Sequence, residues 1–326
     1  MPVLKVYRHG VTAGCPPAHS PTPPDRTKCA GWSVSAIRRN RLFLYSVDDS
    51  ALDGVGFAFT GTVRTCPATH DDWKKGREAF FVRLRRSGMI RSHWLTEWQR
   101  RGMPHLHMAV WFPADVVGRW VDRDAFGRWL VLQWMQAVGD RYGARDSGQH
   151  VTPIYNVVGW NQYVSKHAAR GLSHYQRNPA CIPEGWRNVG TGRMWGRLGD
   201  WPLVDPADVE LSMAAFHALR RIVRGYRKAD ARSALVRSRE LIARARNPSE
   251  DATAHAQART ARRRIVQARG MLQARAPSTI EDGVTVDVAE ASRRRSTVRG
   301  VSEWLPQEVQ LRALAHLARM GHDLSA

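Results

Sequence analysis

The 326-residue chain is long enough for one or two domains, and its 43% of hydrophobic residues can supply a buried core. Its 50 lysines and arginines outnumber its 29 aspartates and glutamates, and the formal net charge of +21 predicts a polyanionic partner. Charge alone leaves open a ribosome-like or membrane-surface protein. No stretch approaches the ~20 apolar residues of a membrane span, and the N-terminus lacks a signal-peptide core, so we expect a soluble, intracellular protein.

Four cysteines are scattered along the chain: Cys15, Cys29, Cys66 and Cys181. No two have the spacing of a zinc knuckle, so the pattern predicts reduced thiols of a cytosolic protein rather than a disulfide framework. A metal site built from Cys15, His19 and Cys29 is the weaker alternative.

The first 55 residues are rich in proline, glycine and polar residues, which predicts a partly ordered leader with some helix over 32–44. Residues 56–205 have the pattern of a compact α+β domain. In chain order we expect a strand over 56–64, a helix over 71–86, hairpin strands over 89–99 and 105–112, a helix over 125–137, a strand over 150–155, a helix over 158–169 and a strand over 192–196. The tight hairpin predicts an antiparallel sheet with helices packed on one face.

The character of the chain changes at about residue 206, where alanine and arginine become frequent. Helices are predicted over 209–246, 253–275 and 301–320, with a linker over 276–299, so residues 206–326 are interpreted as a basic helical region. Its arginine clusters favour contacts with phosphates, and a solvated helical bundle is the alternative.

The predicted hairpin carries the residues with the clearest chemistry. His105 and His107 are separated by one residue on a strand, so both imidazoles point to one face. Pairing across the short loop places Glu97 or Gln99 opposite them. One carboxylate and two neutral imidazoles can hold Mg²⁺ or Mn²⁺, and Glu97 is the better third ligand because hard cations prefer an anionic oxygen. Half-buried, hydrogen-bonded histidines without a metal are the alternative.

Tyr163 and Lys166 are three residues apart in the predicted helix over 158–169, so they share one of its faces. A phenol has a pKa of about 10 and attacks phosphorus only when its proton is removed or the phosphate is polarised, which a nearby cation can do. Lys166 can steady the phosphate oxygens or the developing phenolate. Packing of Tyr163 in the core is the alternative.

Three motifs occur in order: Phe57-Ala58-Phe59-Thr60-Gly61-Thr62, then Glu97-x-Gln99-x-Arg101-Gly102-x-x-His105-x-His107, then Tyr163-x-x-Lys166. Over about residues 56–201 this set resembles the HUH endonucleases, specifically the rolling-circle replication initiators of filamentous phages and small plasmids. The resemblance implies a five-stranded antiparallel sheet that carries the metal histidines, with the nucleophilic tyrosine on a helix beside it. It also implies that Tyr163 attacks a phosphate of single-stranded or supercoiled origin DNA in the cytoplasm of a bacterial host. The tyrosine becomes linked to the 5′ end and a 3′ hydroxyl remains for the host polymerase.

The chain departs from parts of that family in two ways. His167 follows Lys166, and Tyr155 and Tyr175 lie too far along the chain to share the face of Tyr163, so a single nucleophilic tyrosine is implied. No Gly-x-x-x-x-Gly-Lys-Ser/Thr phosphate loop occurs in the sequence, so a host helicase is the expected partner.

Side chains near these motifs are predicted to bind nucleic acid: Arg64, Gln99, Arg100, Arg101, Arg170 and Arg193. Trp94 and Trp98 alternate with the site residues and either stack on unpaired bases or pack in the core, whereas Trp111 is expected in the core.

Two other functions are compatible with the sequence. A transposase or conjugative relaxase uses the same kind of sheet, although the short length and the basic helical tail favour an initiator. A non-catalytic repressor or packaging protein would bind DNA through the basic helices alone. A nicking assay on supercoiled plasmid separates the second alternative, because a pure binder yields no relaxed circles.

Overall fold

The computed structural model describes residues 1–15, 31–155, 176–244, 252–273 and 300–325. The strands in these ranges are β1 (Val3–Val6), β2 (Gly10–Gly14), β3 (Val55–Thr62), β4 (Arg91–Trp98), β5 (Pro104–Phe112), β6 (His150–Ile154), β7 (Trp195–Leu198), β8 (Ala207–Leu211), β9 (Val301–Trp304) and β10 (Leu324–Ser325). The helices are α1 (Val34–Ser46), α2 (His70–Arg86), α3 (Ala114–Val117), α4 (Arg123–Tyr142), α5 (Glu184–Arg187), α6 (Met213–Arg244), α7 (Ala252–Gln273) and α8 (Gln307–Arg319). The chain divides into two compact units, one of Tyr7–His9 and Pro21–Asp205, the other of Met1–Val6, Gly10–Ser20 and Pro206–Ala326.

A five-stranded antiparallel sheet organises the first of these units. Its strand order is β6-β3-β5-β4-β7, so β5, which carries His105 and His107, lies in the middle. The predicted α+β class and antiparallel pairing are confirmed. The strand predicted over 192–196 begins later, at Trp195.

Alternation along β5 separates an apolar face of this sheet from a polar one. Leu106, Met108 and Val110 have no exposed surface and point to the apolar face. His105 and His107 point to the opposite face. A slip of one residue in the pairing would bury the histidines in the core, so the apolar set fixes the direction of the imidazoles.

Helices α2 and α4 cover the apolar face. The ring of Phe59 on β3 lies 5.1 Å from that of Phe80 on α2 and 5.8 Å from that of Trp134 on α4, between ring centroids. The tryptophans of the hairpin belong to the core, because Trp94, Trp98 and Trp111 expose at most 4% of their surface. Burial therefore excludes the alternative in which Trp94 or Trp98 stacks on unpaired bases.

Side-chain caps define the start of both covering helices. Thr69 accepts a hydrogen bond from the backbone N–H of Asp72 at the start of α2, and Asp122 accepts one from Ala125 at the start of α4. Helix α4 runs past its predicted end at 137 and stops at Gly143, whose φ of +62° lies in the left-handed region that glycine adopts readily.

Helix α1 packs against the polar face of the same sheet. The Nε2–H group of His93 on β4 donates to Oδ1 of Asn40 at 2.7 Å, and its ring lies 5.4 Å from that of Phe43. Burial lowers the pKa of His93 to about 3, so the imidazole is neutral. The helix predicted over 32–44 is confirmed as α1, but it packs on β4 and β7, which lie far away in the sequence, so it belongs to the core of this unit and the interpretation as a leader is corrected here.

The N-terminal strands β1 and β2 also depart from the leader interpretation, because they form the middle of a second antiparallel sheet of order β10-β8-β1-β2-β9. Leu4 and Val11 are buried in one apolar cluster with Leu211 of β8, Phe216 of α6 and Leu317 of α8. The second unit is thus not purely helical, which corrects the interpretation of residues 206–326. Its strands are short, and apart from the local pairing of β1 with β2 their partners are distant in sequence, so local patterns predict the sheet poorly.

Helices α6 and α7, here called the basic helix pair, contact each other through small side chains. Ala231 and Ser238 of α6 and Ala258, Ala261 and Ala268 of α7 are buried. Small residues let the two backbones approach closely and leave the long side chains outside, where the arginine cluster Arg262-Arg263-Arg264 is exposed. No helix among the described residues is both long and apolar enough to cross a membrane.

Candidate active site on the central hairpin

The hairpin of β4 and β5 brings the acidic residue and the histidines together. Glu97 pairs directly with His105, which confirms the register expected from the short loop. A tight turn sets this register: the backbone N–H of Gln99 donates to Met103 O at 2.8 Å, and that of Gly102 donates to Gln99 O at 2.9 Å. Gly102 has a φ of +74°, which side chains other than glycine or asparagine rarely adopt.

The two imidazoles lie side by side on the polar face. Their ring centroids are 4.5 Å apart, with His107 buried and His105 half-buried. Oε2 of Glu97 lies 3.7 Å from Nε2 of His107. On the other neighbouring strand, the hydroxyl of Thr60, which pairs with His107, lies 3.3 Å from its Nδ1. The second motif and part of the first therefore meet at one place on the sheet.

The second carboxylate oxygen of Glu97 binds a residue that the sequence pattern did not single out. Nε and Nη2 of Arg177 donate to Oε1 of Glu97 at 3.1 and 3.0 Å, and both side chains are fully buried. The guanidinium also lies 4.1 Å from the ring centroid of Trp32, whose indole N–H donates to Thr96 O at 2.9 Å. Glu97 is thus held in one orientation, with Oε1 toward Arg177 and Oε2 toward His107.

His105 has a different partner. Nδ1 of His105 lies 2.9 Å from Nε2 of Gln99, and Oε1 of Gln99 accepts a hydrogen bond from Nε of Arg101 at 2.8 Å. Because the carbonyl side of the amide faces Arg101, its NH₂ group donates to the imidazole. Gln99 therefore links the histidine pair to the arginine of the turn.

The donor atoms suit a hard divalent cation in their chemistry, since they comprise neutral imidazole nitrogens and a carboxylate oxygen. Two ligands of a cation at about 2.1 Å stand roughly 3.0 Å apart at a right angle and about 4.2 Å apart when opposite, and the separation of Glu97 Oε2 and His107 Nε2 lies within that span. In the described ranges, however, no three His, Cys, Asp or Glu side chains form a ready metal-binding group. Glu97 and His107 converge, whereas His105 is engaged by Gln99.

The remaining predicted residues fall into two groups. Arg64, Arg100 and Arg101 are exposed around the end of the hairpin, and Arg193 is exposed just before β7. The proposed nucleophile and its neighbours, Tyr163, Lys166 and Arg170, lie outside the described residues, as do His167 and Tyr175. The structure brings together Glu97, Gln99, Arg101, His105 and His107.

Arg177 and Trp32 are the contributors to this site that the sequence patterns missed. Both lie outside the three motifs, and each reaches Glu97 or its strand across a large sequence separation. Residue spacing within one element cannot reveal such a contact. The only local indication of a partner is that a carboxylate in an apolar strand needs a cation or several hydrogen-bond donors.

No family model and no solved structure matches the chain. A protein of Xylella fastidiosa strain 9a5c, designated a candidate replication protein, is 42% identical over an alignment that covers 100% of both chains. A similarly designated protein of Xylella fastidiosa strain Temecula1 is 49% identical over 72% of this chain and 88% of its own length. The replication-associated protein G2P of Pseudomonas phage Pf3 is 40% identical over 99% of both chains. The chain therefore belongs to the family of replication proteins that includes the Pf3 protein G2P.

Proposed function

We propose that this protein initiates rolling-circle replication by nicking one strand of origin DNA and rejoining it, as an HUH endonuclease. Family membership supports a role in replication. The observation that carries the chemistry is the buried Glu97 next to His105 and His107 on the polar face of a five-stranded antiparallel sheet. A carboxylate and two imidazoles on a sheet face beside a cluster of arginines suit a site that handles a phosphodiester.

In the proposed reaction, the phenolic oxygen of Tyr163 attacks the scissile phosphorus. The phenol gives up its proton as the phosphotyrosine bond forms, the bond from phosphorus to the 3′ oxygen breaks, and that oxygen takes up one proton to become a 3′ hydroxyl. Rejoining runs the same exchange in reverse, with a 3′ hydroxyl attacking the phosphotyrosine. Lys166, three residues after Tyr163 in a segment that the sequence predicts to be helical, supplies a positive charge for the phosphate oxygens or for the phenolate.

The proposed cofactor is Mg²⁺ or Mn²⁺, held by His105, His107 and Oε2 of Glu97. When bound, such a cation withdraws electron density from the phosphate. The chain itself does the orienting: Arg177 fixes the carboxylate of Glu97, and Thr60 lies against Nδ1 of His107. We propose single-stranded or supercoiled origin DNA as the substrate, and a host helicase and polymerase as partners, because the released 3′ hydroxyl is a primer.

The test is covalent capture. The protein is incubated with labelled single-stranded oligonucleotides tiled across its replicon and with Mg²⁺, and a DNA adduct that survives denaturing gel electrophoresis is expected. Tyr163→Phe removes the attacking oxygen and keeps the ring, so it should bind DNA and form no adduct. His105→Ala, His107→Ala and an excess of EDTA should each abolish the adduct.

Tyr155→Phe is the matched control, because Tyr155 is exposed beyond β6 and should not take part. It should form the adduct like the wild type. Peptide mass spectrometry identifies the modified residue. A phosphotyrosine at any position other than 163, or full cleavage in EDTA, would reject the mechanism, and DNA binding without cleavage under every condition would support a non-catalytic binder.

A further inference from the structure

A small cavity opens beside the histidines, at the end of the central sheet. It has a volume of about 160 Å³ and is lined by Thr62 of β3, by Arg64, by Arg101 of the hairpin turn, and by Arg145 and Gly148 of the segment after α4. Thr62 pairs with His105, so the cavity begins next to the histidine pair. Three segments that are separate in sequence thus place three arginines around this cavity.

Hydrogen bonds between these segments, most of them from a side chain to a backbone, build the cavity. The side-chain amide of Gln149 accepts from Thr62 N at 2.7 Å and donates to Thr62 O at 3.2 Å, and the hydroxyl of Thr62 donates to Gly148 O at 2.7 Å. The backbone N–H of Arg64 donates to Tyr142 O at 2.9 Å. A Cβ atom on Gly148 would come within 2.9 Å of the Thr62 hydroxyl, so the close approach requires glycine. These contacts join β3 and the segment after α4 along the wall of the cavity.

Among the residues that the structure describes, the charged side chains that line this cavity are all positive. None of the described residues that line it is acidic, and Arg64 and Arg145 form no ion pair within the described ranges. Arg101 donates to Gln99 Oε1 and to Val63 O, both of which are neutral. Three guanidinium groups without a carboxylate favour an anion, and guanidinium matches the geometry of phosphate oxygens.

A larger neighbouring cavity is a weaker anion site. It has a volume of about 350 Å³ and is also lined by three arginines, Arg100, Arg101 and Arg187, but the carboxylate of Glu184 and the apolar side chains of Met103, Ile182 and Pro183 line it as well. The smaller cavity therefore has the clearer preference for a phosphate.

We propose that Arg64, Arg101 and Arg145 bind a backbone phosphate of single-stranded DNA adjacent to the phosphate that is cut. This inference rests on the proposed function and adds a substrate-binding site to it, with Arg145 as a residue that the sequence motifs do not contain. Arg101 contacts both the cavity and, through Gln99, His105. The DNA strand would thus cross the end of the sheet from the arginine cavity to the histidines.

The experiment measures binding rather than cleavage. The full chain is titrated into a fluorescein-labelled, mixed-sequence single strand of twelve nucleotides, and anisotropy gives the Kd at several salt concentrations. The double variant Arg64→Gln/Arg145→Gln should lower the slope of log Kd against log salt by about 0.7, since the cavity is proposed to bind one phosphate and each phosphate contact on a single strand contributes about 0.7. The variant Arg64→Lys/Arg145→Lys keeps both charges and should retain the wild-type slope.

Arg128→Gln is the matched control, because Arg128 is exposed on α4 and lies outside the cavity. It should leave the slope unchanged. An unchanged slope in Arg64→Gln/Arg145→Gln, or an equal loss in Arg128→Gln, would overturn the inference. The two proposals fail separately: a protein that binds through the cavity but forms no tyrosine adduct rejects the proposed function, whereas normal adduct formation with an unchanged salt slope in the double variant rejects only the cavity.

Discussion

The ion pair of Glu97 and Arg177 carries a desolvation cost, because both charges are removed from water. A buried ion pair contributes little net stability compared with an apolar pair, but removing one partner leaves the other charge buried without compensation. The pair is therefore better explained by its effect on the orientation of the Glu97 carboxylate. Two nitrogens of one guanidinium hold Oε1, and Oε2 stays directed toward His107. Arg177 is in this sense a positioning residue for Glu97.

The first prediction concerns Arg177. Arg177→Met should lower the free energy of unfolding by about 3 kcal/mol, because the carboxylate of Glu97 loses its buried partner. Chemical denaturation measures this loss. Arg128→Met removes an exposed arginine and should change the stability by less than about 0.5 kcal/mol. The variant Arg177→Met/Glu97→Leu removes both charges and should recover most of the stability, and a double variant as unstable as Arg177→Met would contradict the pairing.

The second prediction concerns the buried His93. Its pKa is about 3 in the folded chain and about 6.5 when unfolded, so only the unfolded state binds the proton between these values. The free energy of unfolding should therefore be unaffected by this group above pH 6.5 and fall by about 1.4 kcal/mol per pH unit below it, down to about pH 3.

Denaturation curves between pH 7 and pH 4.5 check this slope. The double variant Asn40→Leu/His93→Phe replaces both hydrogen-bond partners with apolar groups and keeps a ring against Phe43. It should lose the contribution of His93 to the acid sensitivity. A variant with the same pH slope as the wild type would show that other groups cause the acid sensitivity.

The hairpin is the element in which the sequence predicted most of the structure. Its strand bounds, its register and the common face of the histidines followed from alternation and from the short turn, which are local signals. The residues and helices that pack against the hairpin could not be predicted from these local signals. Arg177 reaches Glu97 from 80 positions along the chain, and α1 meets β4 from 53 positions away. Periodicity describes which side of an element is apolar, but it does not say which distant element covers it.

The third prediction belongs to the turn of this hairpin. Gly102 adopts a φ of +74°, so Gly102→Ala should destabilise the protein by about 1 kcal/mol, with a smaller loss for Gly102→Asn because asparagine tolerates the left-handed region. Urea denaturation compares the two variants. Because Gln99 and Arg101 belong to the turn that Gly102 closes, Gly102→Ala should also weaken single-strand binding. Equal stability of the alanine and asparagine variants would show that the backbone angle does not matter.

At the scale of the whole molecule, the two ends of the chain build one unit. Strands β1 and β2 pair with β8 and β9, and Leu4 and Val11 share an apolar cluster with residues of α6 and α8. Removal of everything after Pro206 would therefore remove the strands that flank the β1–β2 pair, β8 and β9, and expose the apolar side chains of β1 and β2. A deletion of this kind cannot separate a loss of DNA contacts from a loss of folding, so substitutions on exposed arginines are the better probe.

The last prediction concerns the basic helix pair. Arg262, Arg263 and Arg264 are exposed on α7, away from the buried Ala258, Ala261 and Ala268, so Arg262→Gln/Arg263→Gln/Arg264→Gln should keep the packing of the two helices. For duplex DNA, the slope of log Kd against log salt should fall by about 0.9 for each phosphate contact that is lost. Binding to a short single strand should change little, because the arginine cavity is unaltered. The triple lysine variant keeps the charge and should bind duplex with the wild-type slope. If the triple glutamine variant also keeps that slope, the arginines of α7 are solvated and do not contact DNA.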